Sequence, residues 1–438
     1  MRSCLLDPEQ GYYTASHKQA EDPRNVIGAK GDFITSPEIS QVFGELLAIF
    51  FVARWQSVSM PQRTRLVELG PGRGTLLADM VRTFGTFKRM IDSLKTIHLV
   101  ETSLGLQRLQ EQALREVVEG RAGKKLVVIR SDDEPKEPSE DEVHVQWFAD
   151  AHSVPIDGSF WTMLVAHEFF DALPVHIFEK ASNGFKEVLV DLKNSRNGGQ
   201  KGISVIKSSE ISASTAPSFQ YVLSPSATPW SMLLASRNAR FASIQPGQRV
   251  EVSPDAWSAA RRVGELISGR EAALPPIPDE ARRRTSSVGG VGLIVDYGDE
   301  KAFGSSFRAF KQHKIVDPLE DPGTADLTAN VDFTHLKHAL ASTEATAHGP
   351  MVQAHFLSAL GLQQRVEALL RAASSPERKS DITKAAMRLV DLTSMGKEYK
   401  VLGIDALATA AAAAPELERE PSRVPLYPFE MQPQQQTQ

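Results

Sequence analysis

The chemistry of this chain gathers where an apolar run meets a glycine-dense turn, Leu66-Val67-Glu68-Leu69-Gly70-Pro71-Gly72-Arg73-Gly74. Glycine has no Cβ, so a ligand can approach the backbone, and the free amides that open the next helix favour polar or anionic groups. Behind the turn, Leu76, Leu77, Met80, Val81 and Phe84 recur at near-helical spacing, which predicts strand, turn and helix, the opening unit of a nucleotide-binding α/β fold. A dinucleotide pattern wants its third glycine where Thr75 stands, and a P-loop wants Gly-Lys before Ser or Thr where the chain has Arg73-Gly74-Thr75. The form Glu-x-Gly-x-Gly-x-Gly, with Glu68 on the strand, suits S-adenosylmethionine, which needs close backbone approach but brings no pyrophosphate. Glu68 itself has two readings: a cofactor contact, or an organiser of the glycine turn through backbone hydrogen bonds.

Two further strand ends carry acids. Thr96-Ile97-His98-Leu99-Val100-Glu101 reads as a second strand whose terminal carboxylate can accept both ribose hydroxyl protons; the alternative is that Glu101 caps the helix beginning near Ser103. In Met163-Leu164-Val165-Ala166-His167-Glu168-Phe169-Phe170-Asp171-Ala172-Leu173-Pro174, an apolar strand stops abruptly in a charged loop. Ligands of open α/β sheets lie beyond the carboxyl ends of strands, so His167, Glu168 and Asp171 are expected at the same cleft as the glycine turn. Methyl transfer from a sulfonium needs a nucleophile held on axis. A guanidinium acceptor, permanently charged and delocalised, would need flanking carboxylates, which Glu168 and Asp171 can supply. Asp171 reads equally as a turn cap, and His167 is expected to satisfy a local hydrogen bond. Asp296-Tyr297-Gly298 ends another apolar run and either lines the acceptor pocket or turns the chain.

The elements that must position these groups alternate. Strands are expected near 65–69, 96–101, 143–148, 160–166 and 291–297, which implies a mostly parallel sheet. Before them a polar, turn-rich segment from Gly11 to Ser40 reads as a lid leading into an apolar helix from Ile39 to Trp55. The expected organisation is an N-terminal lid and helix over 1–60, a catalytic domain over 61–404, and an unstructured tail over 405–438, although the alanine run 406–414 can extend a helix. Exposed insertions are expected near 130–142, 194–218 and 268–290, where composition buries too little apolar surface to offset ordering entropy. Arg282-Arg283-Arg284 in the last of these reads as solvated.

With 438 residues, 41% hydrophobic, the chain can bury one large core or two moderate ones. Its net charge of −5 gives no general attraction to nucleic acid or anionic lipid, and a single cysteine excludes a disulfide framework or multi-cysteine zinc site. The longest apolar run, Leu46 to Ala53, is far below the roughly 20 residues that span a bilayer, so no membrane insertion is expected. No signal or transit peptide is visible at Met1-Arg2-Ser3. His335 and His338 are read as surface residues, and no metal site is expected.

Together these segments resemble the MidA-like family of S-adenosylmethionine-dependent methyltransferases, whose mitochondrial members are protein arginine methyltransferases needed to assemble respiratory complex I. Beside residues 68–76 and 168–176, the resemblance includes Gly31-Asp32-Phe33-Ile34-Thr35-Ser36-Pro37-Glu38, Arg308-Ala309-Phe310, the block from Pro322 to Ala329, Val331-Asp332-Phe333 and Met395-Gly396-Lys397, so it covers roughly residues 8 to 404. It implies an α/β Rossmann-like class I methyltransferase core, a mostly parallel sheet with helices on both faces, carrying an N-terminal helical lid and inserted elements. It also implies that Gly70, Gly72, Gly74 and Glu101 contact the cofactor, with Thr35, Ser36, Pro37 and Glu38 closing over it. Symmetric dimethylation of an arginine on a matrix-arm subunit of complex I, in the mitochondrion, follows from the resemblance alone. His167 stands where the family usually has asparagine. Two other functions stay open: a non-catalytic assembly factor that keeps the fold, and a methyltransferase for a small molecule or nucleic acid. The oligomeric state is not read from the sequence, a homodimer being one option.

Overall fold

Every residue of Thr64–Leu69 is buried, the pattern of a strand covered on both faces, and this strand, β1, lies near the middle of the main sheet. The computed structural model describes residues 1–14, 35–130, 136–193, 218–272, 286–408 and 424–430. The other strands, in chain order, are β2 (Leu94–Val100), β3 (Lys125–Val128), β4 (Glu142–Phe148), β5 (Trp161–His167), β6 (His176–Ala181), β7 (Gly184–Leu192), β8 (Phe219–Leu223), β9 (Arg249–Val252), β10 (Gly290–Asp299), β11 (Arg308–Lys311), β12 (Lys314–Val316), β13 (Asp326–Thr328), β14 (Val331–Asp332), β15 (Thr346–Val352) and β16 (Tyr399–Ala406).

The main sheet runs β3-β4-β2-β1-β5-β10-β16-β15. From β3 to β10 every pairing is parallel, whereas β16 runs antiparallel to both β10 and β15. Chain order reverses at β1, with β2 and β4 on one side and β5 and β10 on the other. The carboxyl ends of β1 and β5 therefore flank the crevice that such sheets use for ligands. This is the expected Rossmann-like core, and all five expected strands are in it.

Side chains along the strands divide between two cores. Leu66, Met163, Val165 and Leu293 join one; Val67, Leu69, Leu164, Ala166 and Ile294 join the other, as the period of two requires. The principal helices are α1 (Arg2–Leu6), α2 (Ser36–Ile39), α3 (Gln41–Ser57), α4 (Thr75–Phe84), α5 (Leu104–Val118), α6 (Pro254–Ser268) and α7 (Phe333–Leu340). Helices α3, α4 and α5 cover the first face, and α6 and α7 the second. The expected single helix from Ile39 is divided, because Ser40 is extended and its hydroxyl caps α3 by accepting from Val42 N.

Smaller sheets were not legible beforehand: the four-stranded β8-β7-β6-β9 and the three-stranded β12-β11-β13. Other expectations need correction. Ala406 ends a strand rather than extending a helix, and 424–430 returns to the core, where Leu426 is 1% exposed. A buried ion pair holds that return: Arg54 donates to Asp405 Oδ2 (2.6 Å) and to Val424 O (2.9 Å). His335 is half-buried, its Nε2 2.9 Å from Ser253 O, while His338 is exposed. The insertions at 194–218 and 268–290, the triple arginine and most of the alanine run lie largely or wholly outside the described residues. Among those residues, no helix is long and apolar enough to cross a membrane.

Candidate active site

The turn after β1 uses its glycines as backbone devices. Gly70, Gly72 and Gly74 have φ of 67°, 52° and 79°, a left-handed region that a side chain disfavours by roughly 1–2 kcal/mol. A Cβ on Gly70 would lie 3.1 Å from Phe169 Cδ2, and one on Gly74 3.2 Å from Gln110 Cα. Beside the turn lies a cavity of about 520 Å³ lined by Glu68, Gly70, Gly72, Arg73, Glu101 and Leu106, with Ala149, Asp150 and Ala151 beyond β4. That volume suits a small cofactor. Gly74 does not line it but begins α4.

Three of the acids that line the cavity belong to the glycine turn's surroundings. Glu68 is 2% exposed, burial pushes its pKa up to about 8, and its Oε2 has no hydrogen-bond partner among the described residues. Gly70 N is satisfied on Val100 O and Gly74 N on Pro71 O, so Glu68 organises neither of these amides. Glu101 follows β2 directly. Its Oε1 accepts from Ser103 N (2.8 Å) and its Oε2 from Gln110 Nε2 (3.3 Å), yet burial still raises its pKa to about 7. Glu101 thus helps to start α5 and also faces the cavity, so the two readings are compatible. Glu38 accepts from Thr75 Oγ1 and from Arg73 Nη1 (3.4 Å), pinning α2 to the glycine turn.

Thr35, Pro37 and Glu38 line this cavity from above. Ser36 does not: it is fully buried, its hydroxyl lies 3.5 Å from Met395 Sδ, and its amide faces the Glu168 carboxylate. A second cover comes from α1 and the residues after it, through Arg2, Leu5, Leu6 and Tyr13. Gln110, fully buried, was missed by sequence reading; it donates to Gly72 O (2.6 Å) and accepts from Trp147 Nε1 (2.7 Å). Its signal was a polar residue at helical spacing between Leu106 and Leu114, on the apolar face of α5.

The loop after β5 builds a different site. Glu168 has φ +50°, a strained conformation for a side chain that long, and such strain gathers at functional positions. Asp296 holds the loop: its Oδ2 accepts from the amides of Phe170 (3.0 Å) and Asp171 (3.3 Å). Beyond the loop lies a second cavity of about 920 Å³. Three tyrosine–carboxylate pairs line it: Tyr399 donates to Glu168 Oε1 (3.0 Å), Tyr297 to Asp171 Oδ2, and Tyr13 to Asp326 Oδ1 (2.7 Å). Asp171 Oδ1 is buried without a partner among the described residues. Burial first, then the nearby Asp171 charge, raises Glu168 to about 8, and burial raises Asp171 to about 6. Tyr13 and Glu168 line both cavities, which makes them the boundary between the two.

Tyr297 therefore lines this pocket rather than only turning the chain, and Tyr399 and Tyr13 join it from distant elements. Arg308 stands in the same wall, its guanidinium 5.1 Å from the Tyr297 ring centre and 5.5 Å from that of Phe310. His167 does not behave as expected. Its Nε2 has no hydrogen-bond partner among the described residues and lies 3.6 Å from Glu168 Oε1, while the ring stacks on Tyr399 and meets the edge of Phe43. Burial lowers its pKa to about 3, so it is a neutral packing group.

Residues 46–351 match the model of an S-adenosyl-L-methionine-dependent methyltransferase family. The chain is 33% identical over 408 residues to the mitochondrial protein arginine methyltransferase NDUFAF7 of Homo sapiens, covering 92% of this chain and 78% of that one. It is 36% identical over 406 residues to the Drosophila melanogaster homolog, with 92% and 80% covered. A solved structure from Burkholderia thailandensis, bound to S-adenosyl-homocysteine, superposes with a TM-score of 0.66 at 21% identity, covering 94% of this chain and 89% of that one, and so shares the fold. Matched over more than half its length, and by relatives spanning nearly all of it, the chain belongs to this family of S-adenosyl-L-methionine-dependent methyltransferases.

Proposed function

We propose that this enzyme methylates an arginine side chain of a protein, and that the substrate is a matrix-arm subunit of mitochondrial complex I, symmetrically dimethylated in support of complex I assembly. The observation that carries the arginine reading is the second cavity, in which Glu168, Asp171 and Asp326 are each oriented by a tyrosine and which meets the cofactor cavity at Glu168 and Tyr13. A guanidinium is cationic, planar and able to bond two carboxylates at once. Arg308, whose guanidinium lies over the Tyr297 and Phe310 rings in that wall, supports the reading that aromatic faces there suit this group. The relatives' names, protein arginine methyltransferase and mitochondrial, support the substrate class and the compartment.

The residues of the first cavity fit the cofactor. Glu68, whose buried Oε2 has no partner among the described residues, would meet a cationic amino group, Glu101 the ribose hydroxyls, and Arg73 with the first amides of α4 the carboxylate. When bound, S-adenosylmethionine supplies a methyl carbon made electrophilic by its sulfonium. Glu168 and Asp171 bind the guanidinium, turn one nitrogen toward the boundary between the cavities, and take up the proton that this nitrogen loses. The cover from α1, α2 and Tyr13 excludes water, which would compete as a nucleophile.

The test is incubation of the protein with methyl-labelled S-adenosylmethionine and isolated matrix-arm subunits, followed by mass spectrometry of arginines. Dimethylarginine on one subunit, lost in Glu168→Gln, is the expected result. Label in a small molecule or nucleic acid and in no arginine would overturn the proposal; cofactor binding with no transfer to any acceptor would favour the non-catalytic assembly factor.

A further inference from the structure

The sheet β12-β11-β13 forms one wall of the second cavity, and its register is informative. Ile315 on β12 pairs with Phe310 on β11, which pairs with Asp326 on β13, and all three line the cavity. Neighbouring strands lie about 4.8 Å apart, so the row spans roughly 10 Å. Along it exposure rises from 4% at Asp326, through half-buried Phe310, to 69% at Ile315. The wall thus grades from a buried carboxylate through an aromatic face to an aliphatic side chain in water. Across the mouth, Leu392 also lines the cavity and is 52% exposed. The charged side chains that also line the cavity, Lys301, Lys397 and Lys400 against Asp299 and Glu398, are mixed in sign, so the lining offers no uniform partner to a flanking charge of either sign.

An arginine side chain matches this gradient, with its guanidinium at the acids and its aliphatic stem along Phe310. The chain carrying it then passes the mouth, and an extended segment advances about 3.3 Å per residue, so side chains within two positions of the arginine reach the rim. We infer that Ile315 and Leu392 are specificity-determining residues that select a protein segment whose arginine is flanked by apolar side chains. The inference rests on the arginine reading of the site. Burying the two rim side chains against an apolar neighbour removes from water surface that the free enzyme leaves exposed, whereas a glycine neighbour covers little and a charged one must be desolvated.

The experiment uses the full chain, S-adenosylmethionine and a peptide series with one central arginine flanked by leucine, glycine, lysine or glutamate, with methylarginine measured by mass spectrometry. Leucine-flanked peptides are expected to show a KM about tenfold lower than glycine-flanked ones, the scale of one partly buried aliphatic side chain. In Ile315→Lys and in Leu392→Lys, both at exposed positions, that preference falls several-fold while affinity for S-adenosylhomocysteine, measured by calorimetry, stays the same. Arginine methylation with equal KM across the series, or a preference that survives both lysine variants, overturns the inference and leaves the arginine reading standing. Methylation of no arginine peptide and no arginine protein removes both.

Discussion

Replacing Tyr399 by phenylalanine tests whether ionisation of Glu168 governs acceptor binding. Glu168 Oε1 accepts from the Tyr399 hydroxyl at 3.0 Å, and burial, reinforced by Asp171, already raises its pKa to about 8. Arginine is permanently charged, so the form of Glu168 that binds it is the carboxylate, and kcat/KM must rise with pH through the free-enzyme pKa. Tyr399→Phe keeps the ring that stacks on His167 but removes a hydrogen bond to the ionised form. Such a bond contributes about 1.5–3 kcal/mol, and each pKa unit corresponds to about 1.4 kcal/mol. The limb should therefore move upward by about one to two units, and kcat/KM at neutral pH should fall about 10- to 100-fold. The assay is initial-rate methylation of an arginine peptide across the alkaline range, with Glu168→Gln as the variant that has no limb to move. A limb left in place, with activity reduced equally at every pH, would falsify the assignment and leave Tyr399 as a packing residue.

The remaining predictions concern the cofactor cavity and the fold. Burial raises Glu68 to about 8, so at neutral pH it is largely protonated in the free protein and should lose its proton beside a cationic ligand. Calorimetry of S-adenosylmethionine in buffers of different ionisation enthalpy should show proton release that shrinks in Glu68→Gln, with affinity rising as pH approaches 8; no buffer dependence at neutral pH would refute this. Glu101→Gln keeps the shape but weakens the hydrogen bonds available to a ribose, and should lower affinity for S-adenosylhomocysteine about 10- to 100-fold. An unchanged Kd would leave Glu101 with the helix-starting role alone. Asp405 is buried between Arg54 and His348. Asp405→Asn should destabilise the fold by about 3–5 kcal/mol in denaturant titration and expose 424–430 to protease; loss of under about 1 kcal/mol would show that the pair contributes little net stability.

The lining of the first cavity was legible because it is local in sequence. Glu68 and the three glycines stand within seven residues of one another, and the apolar run before the turn and the helical spacing after it announce their own geometry. Glu101 and Glu168 were found for a related reason: each follows an apolar run that has to be a strand of a sheet whose ligand edge is known. The second cavity is assembled across the chain. Tyr13, Asp326 and Tyr399 come from a loop behind α1, a three-residue strand and an antiparallel strand, and nothing near any of them marks the tyrosine–carboxylate pairing. His167 escaped for a different reason, since a histidine held neutral by burial has no spacing signature. At Ala406 the reading failed because the alanines around it favour a helix in isolation, whereas antiparallel pairing of β16 with β10 and β15 decides the strand.

One property unites the two halves of the site. Glu68, Glu101, Glu168 and Asp171 are all pushed above the ordinary carboxylate range, with burial the first cause in each. Burial makes each of these acids costly to ionise, with the Asp171 charge adding repulsion at Glu168, and the raised values let the resting protein carry part of the set as neutral acids. On the proposed reading, Glu168 gives up its proton as the acceptor cation arrives, because an adjacent positive charge favours the carboxylate. Transfer then frees one proton from the guanidinium nitrogen, since the product remains a cation while the sulfonium charge is gone. A carboxylate in the ordinary range would hold that proton poorly; Glu168, at about 8 in the free protein, is closer to holding it and regains its resting form as the methylated cation leaves. The burial that makes these acids costly to ionise thus also suits Glu168 to bind a cation at the start of the reaction and to accept a proton at its end.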